Sequence, residues 1–444
     1  MPLHWKKILP GFIIRRIESH PQLQGIVSNT GWMMGDKIFR KAIGLVVGVL
    51  LARYLGPELF GEFSYALALV TILTPVALLS IDMLAIRQFI KQPSARDQIL
   101  GTSFVLMTAG GVLAFILALV LIFQLRPEET LLHWLVGILA ASSLFQAFII
   151  IEFWFESQLQ WKFNVYAKTS AFFLVSIFKI GLILIEAPLV AFAWAVLAET
   201  IAGSIGLLIV FRSRGDTLRA WTYSRSIAAS FLKDSWPLIA SALLAVIYMR
   251  IDQIMIGTMI SSAELGNYSV AVQVSEVWIF IPVVICSSVF PAIVEAEAYS
   301  EELFHSRMQQ LYRLMAFLAY AVALPIALFS TEIVNLLFST AYADAGPLLA
   351  FLIWTGIFTG FGAARHQFIV ARNWTRVNLV TIALGCSLNI ALNLLLIPKH
   401  GAMGAVIATL ISHWFSTHGS CFLFKPLRKT GWMITKAMLY PKFW

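Results

Sequence analysis

Long apolar runs separated by short polar loops recur along almost the whole chain. An α-helix needs about 20 mostly apolar residues to cross a hydrocarbon core about 30 Å thick. The runs that approach this length predict an all-α polytopic membrane protein with about twelve transmembrane helices. The predicted spans lie at 28–52, 62–82, 99–124, 131–153, 165–185, 188–211, 235–257, 266–291, 311–330, 346–364, 377–397 and 402–424.

The composition supports a chain that is surrounded by lipid. Hydrophobic residues make up 59% of the 444 residues and charged residues only 12%, about half of the roughly 25% that soluble domains carry. The three cysteines, Cys286, Cys386 and Cys421, all lie inside apolar runs. This placement is typical of small buried hydrophobic residues rather than of disulfides or metal ligands.

Lysine and arginine are distributed unevenly between the two sides of the predicted spans. With the N-terminus placed in the cytoplasm, 24 of the 32 lie on the cytoplasmic side, and three, Arg53, Arg126 and Lys399, lie on the opposite side. The positive-inside rule therefore predicts cytoplasmic N- and C-termini. The net charge of +9 is scattered over short loops, whereas a nucleic-acid binder concentrates its charge on one patch. No nucleic-acid partner is expected.

Two sequence echoes indicate an internal repeat. Gly61, Ser64 and Ala66 recur 205 residues later, and the run 195–198 recurs more weakly at 405–408, an offset of 210 residues. Since this offset spans six predicted helices, the second half enters the membrane from the same side as the first. The echoes therefore predict two six-helix lobes related by a parallel pseudo-two-fold repeat. The counterparts in the first echo are Gly266, Ser269 and Ala271.

The repeat divides the chain into two lobes with three shorter segments. The predicted lobes are 28–215 and 234–424, and a cytoplasmic linker at 216–233 joins them. Segment 1–27 is basic, and its apolar run is too short to span the membrane. These features favour a cytoplasmic or interfacial position on an anionic leaflet. Segment 425–444 is predicted to be a basic cytoplasmic tail. Transporters with such repeats bind substrate near the middle of the membrane.

A motif at the end of the first span carries a family resemblance. The run 53–58 reads Arg-Tyr-Leu-Gly-Pro-Glu, and Gly61 and Phe63 follow it. It resembles the signature of the polysaccharide-biosynthesis (O-antigen type) flippases of the multidrug/oligosaccharidyl-lipid/polysaccharide exporter superfamily. From the residues themselves, Gly56 and Pro57 predict a break in the helix, because proline cannot donate a backbone hydrogen bond and glycine tolerates unusual dihedrals.

The resemblance implies a MATE-like fold and a substrate. Members of this family would move a polyprenyl-pyrophosphate-linked oligosaccharide, a polysaccharide repeat unit, across the bacterial inner membrane by alternating access. The lipid bilayer and this lipid-linked oligosaccharide are thus the implied partners, and a complex with a polysaccharide polymerase is left open. No catalytic residue, metal site or bound cofactor is implied, and coupling to H⁺ or Na⁺ is left open.

Five cations inside the predicted spans are the candidate substrate site. Charges within a bilayer are costly and usually mark a ligand pathway. A lipid pyrophosphate would supply several acceptor oxygens for charge-assisted hydrogen bonds, whereas snorkelling to headgroups is the structural alternative. Arg40 has the spacing to pair with Asp36, and Lys179 could pair with Glu199 or Glu152. The five candidates are Lys37, Arg40 and Lys41 in the first span, Lys179 in the fifth and Arg250 in the seventh.

Four acidic residues in the spans are candidates for ion coupling. A buried carboxylate can exchange a proton at physiological pH because burial disfavours its charged form. Charge balance for the nearby cations is the alternative role for each of them. The four residues are Asp36, Glu199, Asp252 and Glu276.

Three other functions remain to be weighed against a polysaccharide flippase. A cation-coupled multidrug exporter of the same superfamily should have an acidic or aromatic cavity, whereas cations dominate these spans. A lipid-II-type flippase would share the anion chemistry but often carries additional spans. A membrane glycosyltransferase, polymerase or ligase would need polar catalytic groups on a large outward loop. The longest such loop, 331–345, holds only Glu332 and Asp344 as charges, so the chain is predicted not to be an enzyme.

Overall fold

The computed structural model describes residues 21–372 and 374–441, and these residues form helices, turns and short loops without a β-strand. The helices up to the middle of the chain are α1 Pro21–Leu78, α2 Asp82–Lys91, α3 Arg96–Leu125, α4 Thr130–Ala140, α5 Ile150–Ser157, α6 Trp161–Asn164, α7 Ser170–Leu184, α8 Leu189–Ser213 and α9 Arg225–Met259. The later ones are α10 Ser262–Ser275, α11 Phe280–Tyr299, α12 Glu301–Leu328, α13 Ser330–Phe338, α14 Ala345–Leu352, α15 Thr355–Ala371, α16 Thr375–Thr417 and α17 Arg428–Leu439.

Ten continuous helical stretches in the described part of the chain are long and apolar enough to cross a membrane. Two of them are too long for one crossing, namely Asn29–Lys91 with 63 residues and Arg376–Phe422 with 47 residues. At about 1.5 Å per residue, each exceeds a core about 30 Å thick by a factor of two or more. Each contains two of the predicted spans, so the prediction of about twelve transmembrane helices is confirmed, as is the all-α fold class.

The two long helices are interrupted at glycines. Gly56 in α1 has φ 71° and ψ 171°, and Gly401 in α16 has φ 56° and ψ −140°. Positive φ is accessible to glycine at little cost, so the chain turns between consecutive spans without a loop. The helix break predicted at Gly56 is thereby confirmed. After the second break, the Ala402 amide donates to Glu264 Oε1 at 2.6 Å, which satisfies a free N-terminal amide of the following helix.

The chain forms two compact units. The first unit contains the residues up to Leu51 and Leu69–Leu243. Its core gathers side chains such as Phe89, Met107 and Phe211, which are almost completely buried. The segment after α8 packs on α3, where the Thr222 amide donates to Asp97 O at 3.2 Å.

The second unit contains Ala52–Ala68 and Leu244–Trp444. The motif segment is attached to this unit by its polar groups. Arg53 Nε donates to Leu337 O at 2.6 Å, at the end of α13. Tyr342 donates from its hydroxyl to Ala52 O at 2.7 Å. The arginine of the motif thus satisfies a helix C-terminus, whose last carbonyls have no partner within the helix.

The predicted boundaries of the lobes, linker and tail stay predictions. The first 20 residues of the predicted N-terminal segment lie outside the described residues. The predicted tail contains the helix α17.

Candidate functional site

Glu199 joins two of the predicted cations in the first unit. Lys179 Nζ lies 3.0 Å from Glu199 Oε2, and Arg40 Nη2 lies 3.6 Å from Glu199 Oε1. The Arg40 guanidinium also stands 4.7 Å from the centre of the Phe172 ring, an arrangement that adds a cation–π attraction. Helices α1, α7 and α8 therefore bring their charges together at this carboxylate.

A cavity of about 280 Å³ opens beside this cluster. Its charged lining consists of Arg40, Lys168 and Glu199, and its neutral polar lining includes Gln146 and Ser204. Sites for drug-sized ligands have volumes of about 300–1,000 Å³, so this cavity suits a small polar group. The remaining walls are largely apolar.

Lys168 is a site residue that the sequence interpretation missed. Its Nζ lies 2.6 Å from Glu152 Oε2, and it sits on a π-helical turn at Val165–Thr169 that leads into α7. Lys168 lies within the predicted fifth span, 165–185, but is not among the five candidate cations. Its spacing of 11 residues from Lys179 was the available signal, since 11 residues are about three helical turns and return to the same face.

The charged side chains that line the cavity, Arg40, Lys168 and Glu199, leave a positive excess. Three cations, Arg40, Lys168 and Lys179, are close to two carboxylates, Glu152 and Glu199. Each cation already has a carboxylate partner, and the excess corresponds to one positive charge. An anion entering the cavity can therefore gain attraction without first removing a surplus of negative charge.

The other three candidates in the first span have different surroundings. Asp36 accepts a hydrogen bond from Thr169 Oγ1, so Asp36 and Arg40 have separate partners, although their spacing allows a pair. Lys37 and Lys41 are exposed. Neither lysine has an ion-pair partner among the described residues. The structure therefore brings Arg40, Lys179 and Glu199 together and leaves Lys37 and Lys41 outside that cluster.

The second unit holds the remaining candidates. Arg250 Nη2 lies 3.4 Å from Glu276 Oε2. Asp252, two residues later, is 5% exposed and accepts hydrogen bonds at Oδ2 from the Tyr268 hydroxyl and from Thr409 Oγ1, the latter at 3.2 Å. Its Oδ1 is buried and has no hydrogen-bond partner in the described part of the chain.

Polar side chains of α16 extend the surroundings of Asp252. Asn393 Nδ2 donates to Asn389 Oδ1 at 3.1 Å, and Asn389 Nδ2 donates to Ser412 Oγ at 3.2 Å. Asn393 Oδ1 is a second buried oxygen without a partner among the described residues. Across these same residues, no group of three or more His, Cys, Asp or Glu side chains is arranged to hold a metal ion.

Comparisons with known proteins point to one family. The sequence profile of the family described as "Polysaccharide biosynthesis protein" matches residues 26–297. An uncharacterized membrane protein of Methanocaldococcus jannaschii is 30% identical over 93 residues, which are 21% of this chain and 18% of that protein. The probable low-salt glycan biosynthesis flippase Agl15 of Haloferax volcanii is 22% identical over 180 residues, which are 40% of this chain and 38% of that protein. The matches thus span well under half of either relative's length.

Solved structures show the same fold at low sequence identity. An inward-facing multidrug resistance MATE family transporter of the MOP superfamily has a TM-score of 0.68 and 16% identity, covering 88% of this chain and 96% of that one. The lipid II flippase MurJ, in an inward closed conformation, has a TM-score of 0.68 and 15% identity, covering 91% and 90%. Because the profile match spans more than half of the chain, this multi-pass membrane protein, with the fold of MOP superfamily transporters, belongs to the polysaccharide biosynthesis protein family.

Proposed function

We propose that the protein is a flippase that translocates a polyprenyl-pyrophosphate-linked oligosaccharide across the membrane by alternating access. The observation that carries this proposal is the cavity lined by Arg40 and Lys168, with its excess of positive charge. Family membership and the name of the Haloferax volcanii relative, a probable glycan biosynthesis flippase, support the same substrate class.

The pyrophosphate is the group that this cavity would bind. A guanidinium can donate two parallel hydrogen bonds to phosphate oxygens, and an ammonium adds a compact positive charge. The volume of about 280 Å³ fits such a headgroup better than a whole oligosaccharide. Arg40 and Lys168 would therefore hold the phosphates while the sugars and the polyprenyl chain extend elsewhere.

Glu199 neutralises cations of this site when no substrate is bound. Without substrate, its carboxylate pairs with both Arg40 and Lys179, which avoids leaving two cations unpaired in a largely apolar wall. A pyrophosphate would compete with Glu199 for Arg40. Such competition limits affinity and helps release, which a transporter needs after each cycle. Lys37, Lys41 and Arg250 would serve as further cations along the path.

Ion coupling in this proposal is assigned to Asp252. Glu199 and Glu276 each have an ion-pair partner that explains them as charge balance, and Asp36 accepts a hydrogen bond from the neutral Thr169 hydroxyl. Asp252 instead keeps one buried oxygen without a partner among the described residues, and a buried unpaired carboxylate oxygen is costly. A bound proton or sodium ion would satisfy it.

The cellular setting is also part of the proposal. Both termini would lie in the cytoplasm, and transport would run from the cytoplasmic to the outer leaflet of a bacterial inner membrane. A polysaccharide polymerase is a proposed partner on the outer side. The competing function, export of cationic drugs, is supported by the fold shared with a multidrug transporter, but the positive excess at the cavity opposes a cationic substrate.

Leaflet accessibility in proteoliposomes tests the proposal. A polyprenyl-pyrophosphate oligosaccharide with a fluorescent label is incorporated on one side, and a membrane-impermeant quencher reports its arrival on the other. Arrival should depend on the protein, should be lost in the Arg40→Gln/Lys168→Gln double variant and should persist in Lys162→Gln, which changes an exposed lysine nearby. Gradient-driven uptake of a cationic dye without movement of the lipid would overturn the proposal.

A further inference from the structure

The C-terminal helix α17 presents a face on which cations alternate with large apolar side chains. Arg428, Trp432 and Lys436 follow at intervals of four residues, and Leu439 completes the stripe; all four are exposed. Lys429 is exposed beside this stripe. Successive positions four or three residues apart lie on one side of a helix, so the cations and the two apolar residues share one surface.

The opposite face of α17 is fixed to the second unit. Ile434 and Ala437 are completely buried. Gln309 Nε2 of α12 donates to Met433 O at 3.1 Å, and the Tyr320 hydroxyl donates to Met438 O at 3.1 Å. The exposed face is therefore held in one orientation by packing and hydrogen bonds on its other side.

The course of α17 brings its apolar end towards the membrane core. Met433 and Met438 are five residues apart in α17, and the side chains that bond to their carbonyls, Gln309 and Tyr320, are eleven residues apart in α12. Tyr320 lies well inside the membrane-spanning stretch Glu301–Leu328. The basic first turn of α17 thus lies near the N-terminal end of α12, while Leu439 lies closer to the level of the acyl chains.

The start of α17 is tied to the end of the last transmembrane stretch. That stretch ends at Phe422, and only five residues separate it from Arg428. Arg428 Nε donates to Phe422 O at 3.3 Å. The basic turn consequently lies at the level where a transmembrane helix leaves the hydrocarbon, which is the level of the lipid headgroups.

The charge of this region is one-sided. From His418 to the C-terminus the sequence contains Lys425, Arg428, Lys429, Lys436 and Lys442 and no aspartate or glutamate. Glu301 is close enough to interact with Lys429, but its carboxylate lies 2.6 Å from Arg372 Nη2. Lys436 has no ion-pair partner in the described part of the chain.

We propose that the exposed face of α17 is a binding site for anionic phospholipid of the adjacent leaflet. Arg428 and Lys429 contact the headgroup phosphates, and Lys436 reaches them from a deeper level by extending its aliphatic chain towards the interface. Trp432 lies at the interface, and Leu439 packs on the acyl chains. Interfacial helices bind in this way, with basic side chains at the headgroups and Trp or Leu below them. A cation near an anionic leaflet contributes an attraction that corresponds to about fivefold in affinity.

Native mass spectrometry of the full-length protein in detergent, titrated with phosphatidylglycerol or phosphatidylcholine, tests this site. The variant is Lys429→Gln/Lys436→Gln, because the side chains of these lysines make no hydrogen bond within the described residues and the loss of their charges should not impair folding. Phosphatidylglycerol affinity should fall by about tenfold or more, with little change for phosphatidylcholine. The charge-preserving Lys429→Arg/Lys436→Arg variant should bind as the wild type does.

The matched control is Arg219→Gln/Lys233→Gln, which removes two exposed cations from the region between α8 and α9 and the start of α9. It should leave phosphatidylglycerol affinity unchanged. Equal loss in this control would mean that net charge, and not the α17 face, attracts the lipid, and would overturn the proposal. Unchanged phosphatidylglycerol binding in Lys429→Gln/Lys436→Gln would overturn it as well.

Discussion

Gly61 and Gly266, which are 205 residues apart and occupy equivalent places in the sequence repeat, pack backbone to backbone in the second unit. A Cβ atom on Gly61 would stand 1.7 Å from Ser262 O and 3.0 Å from the Gly266 nitrogen. A Cβ atom on Gly266 would stand 1.9 Å from Pro57 O. The two copies of the repeated motif thus meet each other, and each provides the glycine that lets the other approach.

This contact predicts that Gly61→Ala destabilises the protein. The atoms that the new methyl group would meet belong to the backbone and cannot rotate away, so overpacking should cost about 3 kcal/mol or more. Thermal unfolding in detergent should show a clearly lower midpoint and a lower yield of folded protein.

Gly181→Ala is the matched control for that substitution. A Cβ atom at Gly181 would have no atom within 4 Å, and alanine favours a helix by up to about 1 kcal/mol over glycine. Its unfolding midpoint should equal or exceed that of the wild type. Equal unfolding midpoints for the two variants would mean that the close approach of the two motif copies does not restrict position 61 to glycine.

Lys168 provides a second prediction, about transport rather than stability. Lys168→Gln removes a charged hydrogen-bond donor from the cavity, which is worth about 1.5–3 kcal/mol, so transport of the lipid-linked oligosaccharide should fall by about tenfold to a hundredfold. Lys162→Gln, at an exposed position six residues earlier, should transport normally. Transport in Lys168→Gln at the wild-type rate and equal protein level would remove Lys168 from the site.

Glu199 distinguishes an anionic from a cationic substrate. Glu199→Gln removes the carboxylate that forms ion pairs with Arg40 and Lys179, so a pyrophosphate headgroup no longer has to compete with it for these cations. Its affinity should rise by several-fold, and its release should slow. Binding of the labelled lipid by purified protein measures this, with the exposed Glu128→Gln as a control. Weaker lipid binding together with loss of cationic-dye binding would favour the drug-exporter function.

The sequence predicted the spans well because length and apolarity alone determine whether a helix can cross a bilayer. It also located the break at Gly56, since glycine followed by proline is a local signal. The pairing of Lys179 with Glu199 was one of two that the sequence left open. The neighbours of Lys168 and Asp36 were not predictable, because hydropathy does not define the rotation and depth of one helix against another.

Asp252 supports the final prediction, about energy coupling. Asp252→Asn keeps an oxygen that can accept from Tyr268 and Thr409, so the local packing should survive while the charge is lost. A neutral side chain attracts a coupling cation much less strongly than a carboxylate does. Stimulation of transport by a proton or sodium gradient should therefore disappear, while exchange without a gradient continues. The ratio of transport rates with and without the gradient should fall to about one. Asp344→Asn, at an exposed position in the same unit, should keep the wild-type ratio. A wild-type ratio in Asp252→Asn as well would mean that another group couples transport to the gradient.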